Sequence, residues 1–101
     1  MAEIKKFICV CGSGVGSSMM VQMNVEKVMK ELGKKGITVE HAKIEGLEPE
    51  ENTVYVIAKE LAPQFEKFPR RVELDQIMSM KELRPKIEKV FEQTEDQFVI
   101  G

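Results

Sequence analysis

The sequence predicts an α/β fold: a single domain over residues 1–101, built on a four-stranded, mainly parallel open sheet with helices on both faces. Two patterns carry that reading. Apolar runs of strand length alternate with helical periodicities, and such alternation builds parallel sheets. The run Val54-Tyr55-Val56-Ile57 is continuously apolar, as strands covered on both faces are.

The elements follow in order. Lys5 to Val10 is a short apolar run and reads as the first strand. Ser17 or Ser18 can cap the next helix, which runs to about Leu32. Val21, Val25, Val28 and Leu32 recur at i, i+4, i+7 and i+11 and mark its buried face. Gly33 and Gly36 end it. Thr38 to Ile44 alternates, is β-branched and reads as the second strand. Glu45 to Asn52 is an acidic connection, and Thr53 to Ala58 is the third strand. Glu60 to Phe68 predicts a short helix and Arg71 to Leu74 a fourth strand. The last helix carries Leu83, Ile87, Val90 and Phe91 on one face. Ser79 and Glu82 have capping-box spacing, but a start there puts Pro85 inside the helix. The reading therefore sets Pro85 at the first helical position. The tail after Phe91 is expected to fray. One connection resists the scheme: the eight residues Glu45 to Asn52 are few for a parallel crossover. Either the flanking strands end earlier or one edge is irregular.

Bulk properties exclude several classes. The net charge of −2 and pI near 5.5 argue against a nucleic-acid binder, which carries a basic stripe. No apolar stretch approaches the roughly 20 residues of a membrane span. Met1-Ala2-Glu3-Ile4-Lys5-Lys6 lacks the apolar segment of a signal peptide, so a cytosolic location is expected. Cys9 and Cys11 suit that compartment. Their spacing on one strand points both side chains to the same face, so a disulfide would require distortion. His41 is the only histidine, too few ligands for a zinc site. No metal or cofactor is expected.

The chemistry concentrates in Cys11-Gly12-Ser13-Gly14-Val15-Gly16-Ser17-Ser18. Ligands of open α/β sheets bind beyond the carboxyl ends of the strands, and Cys11 stands at such an end. Gly12, Gly14 and Gly16 let the backbone take positive φ and approach an anion without Cβ clashes. N–H groups from Ser13 to Ser18 can then converge on a tetrahedral oxyanion, with the hydroxyls of Ser13, Ser17 and Ser18 as further donors. The same donors favour a Cys11 thiolate. Comparison with other phosphate loops narrows the chemistry. The stretch lacks the G-K-[ST] of a Walker loop and the G-x-G-x-x-G of a dinucleotide fingerprint. A cysteine phosphatase places arginine after five residues; counting from Cys11, that position is Ser17. Without that arginine to stabilise the transition state, the loop suits holding a phosphorylated cysteine rather than hydrolysing a phosphate ester.

With Met19 added, this stretch resembles the active-site loop of enzyme IIB proteins of the bacterial sugar phosphotransferase system. It is closest to the galactitol and ascorbate types, with the lactose/cellobiose type more distant. A strand before Cys11, a helix after Ser18 and the opening Arg84-Pro85-Lys86-Ile87-Glu88-Lys89-Val90 extend the likeness. The resemblance implies that Cys11 accepts a phosphoryl group from a phosphohistidine of enzyme IIA. Cys11 would then pass it to a sugar or polyol at membrane enzyme IIC, with Gly12, Ser13, Gly14, Val15, Gly16, Ser17 and Ser18 cradling the phosphate. It also implies a cytoplasmic protein, peripheral to the inner face of the membrane through enzyme IIC. Two rival classes stand beside this one: a low-molecular-weight cysteine phosphatase, and a regulatory enzyme IIB-like module. The chain's shortness favours a stand-alone component.

Other residues are weighed against plainer roles. Met19 and Met23 fall on the helix face opposite Val21, Val25, Val28 and Leu32. With Val15 they are expected to form an apolar rim for a protein partner. Cys9 reads as a core residue and His41 as structural or exposed. Lys59 follows the third strand and is a candidate charge on the edge that carries Cys11, although a solvated lysine is its default. Arg70 and Arg71 are expected at the far edge.

Overall fold

The computed structural model describes residues 4–10, 15–34, 36–77, 79–93 and 97–101, with the backbone alone for residues 15–18. Its strands are β1 (Lys6–Val10), β2 (Thr38–Ala42), β3 (Thr53–Ala58), β4 (Arg70–Leu74) and β5 (Phe98–Ile100). They form one sheet in the order β2-β1-β3-β4-β5, with every neighbouring pair parallel. The helices are α1 (Val15–Glu31) and α2 (Met80–Glu92), and a 3-10 helix spans Lys59–Phe65.

Strand alternation divides the core in two. Phe7, Cys9, Val54, Val56, Val72 and Leu74 point to the face covered by α1 and α2. There they meet Val21, Val25 and Val28 of α1 and Leu83, Ile87 and Val90 of α2, with Leu32 and Phe91 packed at the margin. Ile8, Val10, Tyr55 and Ile57 point to the opposite face, against Leu61 and Phe65 of the 3-10 helix and Phe68 beyond it. Burying each such aliphatic or aromatic side chain contributes about 1.5–3 kcal/mol. On β4 the second face carries charge instead: Arg71 pairs with Glu73 at 3.0 Å and donates to the Phe65 carbonyl at 2.6 Å.

The short connection is explained by an earlier strand end and by topology. β2 stops at Ala42, not Ile44, and β3 pairs with β1 rather than with β2. The segment 43–52 therefore crosses β1 as an irregular strap that turns where the Leu47 N–H donates to the Ile44 carbonyl, with Ile44 and Leu47 packed on the second face. Tyr55 anchors it by donating its hydroxyl proton to the Glu48 carbonyl at 2.8 Å. Burial first, and the Glu50 charge second, push the Tyr55 phenol up to about 12.

Several boundaries differ from the sequence reading. A fifth strand lies where the tail was expected to fray. Phe98 donates its N–H to the Pro69 carbonyl at 2.9 Å, and Phe98 and Ile100 are buried against the α2 side of the sheet. Three residues are too few to register as a periodic pattern. The links β1–β2, β2–β3 and β3–β4 share one hand. The β4–α2–β5 link has the other, because α2 lies on the α1 face while the chain moves the opposite way across the sheet. The Glu60–Phe68 helix is a 3-10 turn with Pro63 inside it. Finally, α2 starts at Met80, not Pro85. The Ser79 hydroxyl accepts from the Glu82 N–H at 3.3 Å, and that cap outweighs the interior proline. Pro85 and Lys81, whose carbonyl the proline leaves without its helical donor, are both exposed.

Candidate functional site

Parallel strands bring every carboxyl end to one edge, and both main helices begin there. β1 ends at Val10, level with Ala42 of β2 on one side and Ile57 of β3 on the other. Cys11 is the next residue in the chain. Cys11, Gly12, Ser13 and Gly14 lie outside the described residues, so their expected roles are untouched by the geometry. For Val15, Gly16, Ser17 and Ser18 the described backbone is helical.

That corrects two expectations. Because α1 begins at Val15, Ser17 and Ser18 sit within its first turn rather than at its cap. Gly16, being helical, does not need positive φ. The helical ladder supplies no acceptor for the N–H groups of Val15, Gly16 and Ser17. No acidic residue stands in that first turn to compensate the positive end of the helix.

The N-terminus of α2, on the same edge, is built differently. The Glu82 carboxylate accepts from the N–H groups of Asp75 at 2.6 Å and Gln76 at 2.7 Å, and from Lys86 Nζ at 2.6 Å. Burial pushes this carboxyl up, but the Lys86 bond and the two N–H donors outweigh it and hold it below the ordinary range. Placing the helix start at Pro85 hid this role of Glu82; the Ser79–Glu82 spacing was the signal.

Other expectations resolve directly. Cys9 is fully buried in the α1-side core. His41 Nδ1 hydrogen-bonds Gln22 Oε1, and Gln22 Nε2 donates to the Val39 carbonyl at 2.9 Å, which ties α1 to the edge strand. Met19 and Met23 are exposed, and Met20, which the face count passed over, is 51% exposed beside them. Lys59 does stand on the carboxyl edge. It pairs with Asp75 at 3.6 Å, across a crevice of about 200 Å³ lined by Ala58, Lys59, Glu60, Leu74, Asp75 and Ile77.

The three arginines of the chain are engaged elsewhere. Arg70, at the amino edge as expected, donates to the carbonyls of Thr53 and Glu50, each at 3.0 Å. Arg71 is not at that edge but inside β4, bonded to Phe65 and Glu73. Arg84 pairs with Glu31 at the far end of α1. A phosphatase-type guanidinium is therefore missing from the loop by sequence and has no described substitute beside it.

Fold and edge together define a class: a parallel α/β domain whose first helix starts at the carboxyl edge of the sheet with no acidic residue in its first turn. Comparison with known proteins specifies it. Residues 6–93 match the family described as PTS system, lactose/cellobiose-specific IIB subunit. The chain belongs to this family of sugar phosphotransfer components. It is also similar to the ascorbate-specific PTS system EIIB component of Mycoplasma pneumoniae, at 58% identity over 26 residues. That stretch is 26% of this chain and 27% of the relative, so the chain spans about a quarter of the curated relative's length in this match.

Proposed function

We propose that this protein is a phosphoryl carrier in which Cys11 is the phosphorylated residue. One observation carries the reading: in a chain of the IIB family, a cysteine and a glycine-serine loop lead straight into a helix start that has no anion of its own. In the first step the Cys11 thiolate attacks the phosphorus of a phosphohistidine on enzyme IIA. The S–P bond forms with the sulfur's electron pair, and the N–P pair stays with the imidazole nitrogen. In the second step a hydroxyl oxygen of a sugar or polyol at enzyme IIC attacks the same phosphorus. The S–P pair returns to sulfur, and the hydroxyl proton leaves to solvent or to a base of the partner. Backbone N–H groups from Gly12 to Ser18 hold the transferring oxygens and offset their charge in both steps.

Val15, Met19 and Met23, with Met20, form the apolar surface that meets these partners and keeps water from the phosphocysteine. Enzyme IIC selects the sugar and keeps this otherwise cytoplasmic domain at the inner face of the membrane. The arginine positions favour a carrier over a phosphatase. The test is incubation with a phosphorylated IIA protein and, separately, with p-nitrophenyl phosphate. The reading expects stoichiometric phosphorylation that passes on when sugar and IIC membranes are added, and no turnover of the ester. Steady ester hydrolysis without transfer from IIA would replace the carrier with a phosphatase.

A further inference from the structure

The loop 11–18 contains no cationic side chain, yet its proposed cargo is a phosphoryl group close to a dianion. The strands on either side of β1 are each followed directly by a lysine. β2 ends at Ala42, level with Val10, and Lys43 follows. β3 carries Ile57 level with Val10 on the other side, and Lys59 comes two residues later. Neighbouring strands lie about 5 Å apart, and consecutive Cα atoms about 3.8 Å. A flexible four-carbon stem spans such a gap, so the end of β1 at Val10 lies within reach of a lysine from either neighbouring strand.

Neither lysine is firmly committed. Lys43 is exposed and has no ion pair among the described residues. Lys59 has only Asp75, at 3.6 Å, with both side chains about two-thirds exposed (69% and 65%), and exposed pairs of that kind are weakly held. Lys86, by contrast, is fixed between the Glu82 carboxylate and the Glu73 carbonyl, each at 2.6 Å. Glu60 and Asp75 are the acidic groups nearest Lys59 at the crevice rim.

We infer that Lys43 and Lys59 flank the loop as positioning charges, one from each neighbouring strand, and that Lys59 exchanges Asp75 for the thiolate or the phosphoryl oxygens. This assignment rests on Cys11 being the reactive residue. Each lysine attracts the incoming phosphohistidine group and offsets charge on sulfur and phosphate without touching the bond being made.

The experiment is the pH profile of iodoacetamide alkylation of Cys11 at low salt, in a Cys9→Ser background of the full chain. Lys43→Met and Lys59→Met are each expected to raise the thiol pKa by roughly half a unit, with the shifts adding in the double variant. Asp75→Asn, which leaves Lys59 uncompensated, is expected to lower it. All three shifts shrink in molar salt. Lys89→Met, an equal change of net charge in the last turn of α2, is expected to leave the profile unchanged. Profiles for Lys43→Met and Lys59→Met that coincide with Lys89→Met overturn the assignment. Phosphorylation of the parent by phospho-IIA, scored separately, reports on the carrier reading alone.

Discussion

The two helices that begin on the carboxyl edge solve the same electrostatic problem in opposite ways. At α2 the chain supplies its own anion: Glu82 in the first turn takes the N–H groups of Asp75 and Gln76 and the Lys86 ammonium, and Ser79 caps the turn. At α1 the first turn is Val15-Gly16-Ser17-Ser18, with donors and no carboxylate. A helix start that carries its anion is finished structure. A helix start that lacks one is, on the proposed reading, where an anion from outside is taken.

The comparison breaks most sharply if α1 is given what α2 has. Ser17→Glu puts a carboxylate in the first turn of α1. Phosphoryl labelling by phospho-IIA is expected to fall roughly a hundredfold or more, because like charges at contact distance are strongly disfavoured away from bulk water. Thermal stability of the same variant is expected to hold or rise slightly, since an acid there suits the helix dipole. A variant that labels normally would mean that the start of α1 is not where the phosphate sits.

The converse change removes the anion from α2. Glu82→Gln is expected to cost about 1–2 kcal/mol by urea denaturation at neutral pH, with labelling retained. Its pH dependence has a definite sign. The folded carboxyl is held below its ordinary range, so its contribution is complete above the unfolded pKa and disappears as pH falls through the lower folded value. The stability difference between parent and Glu82→Gln is therefore expected to close on acidification. A difference independent of pH would sever Glu82 from that role.

The smallest effect on stability belongs to the methionines. Met19→Ser with Met23→Ser is expected to change stability by less than about 0.5 kcal/mol, because both side chains are exposed. Transfer from phospho-IIA is expected to slow. Unchanged transfer rates would remove the partner surface from the account.

The same contrast explains what was legible in the sequence. Strongly periodic segments were: Thr53–Ala58 matches β3 end to end, and Val21, Val25 and Val28 are the buried stripe of α1. What escaped depends on contacts distant in sequence or on competing local terms. β5 exists because Phe98 and Ile100 find the α2-side core, which no three-residue pattern announces. The start of α2 was misplaced because proline was weighed as a breaker, whereas Ser79 and Glu82 fix the turn and Pro85 faces solvent. The family was legible because the resemblance rests on residue types in strict succession, a cysteine followed by glycines and serines. Lys59 was a candidate in the sequence but Lys43 was not, since only the register of β1 with β2, which sets Ala42 level with Val10, brings Lys43 to the end of β1.

The central claim is that Cys11 carries the phosphoryl group, and intact mass after incubation with phospho-IIA tests it most directly. The parent and Cys9→Ser are each expected to gain the mass of one phosphoryl group, and Cys11→Ser to gain none. Labelling of Cys11→Ser equal to the parent, or its loss in a folded Cys9→Ser variant alone, would contradict the account.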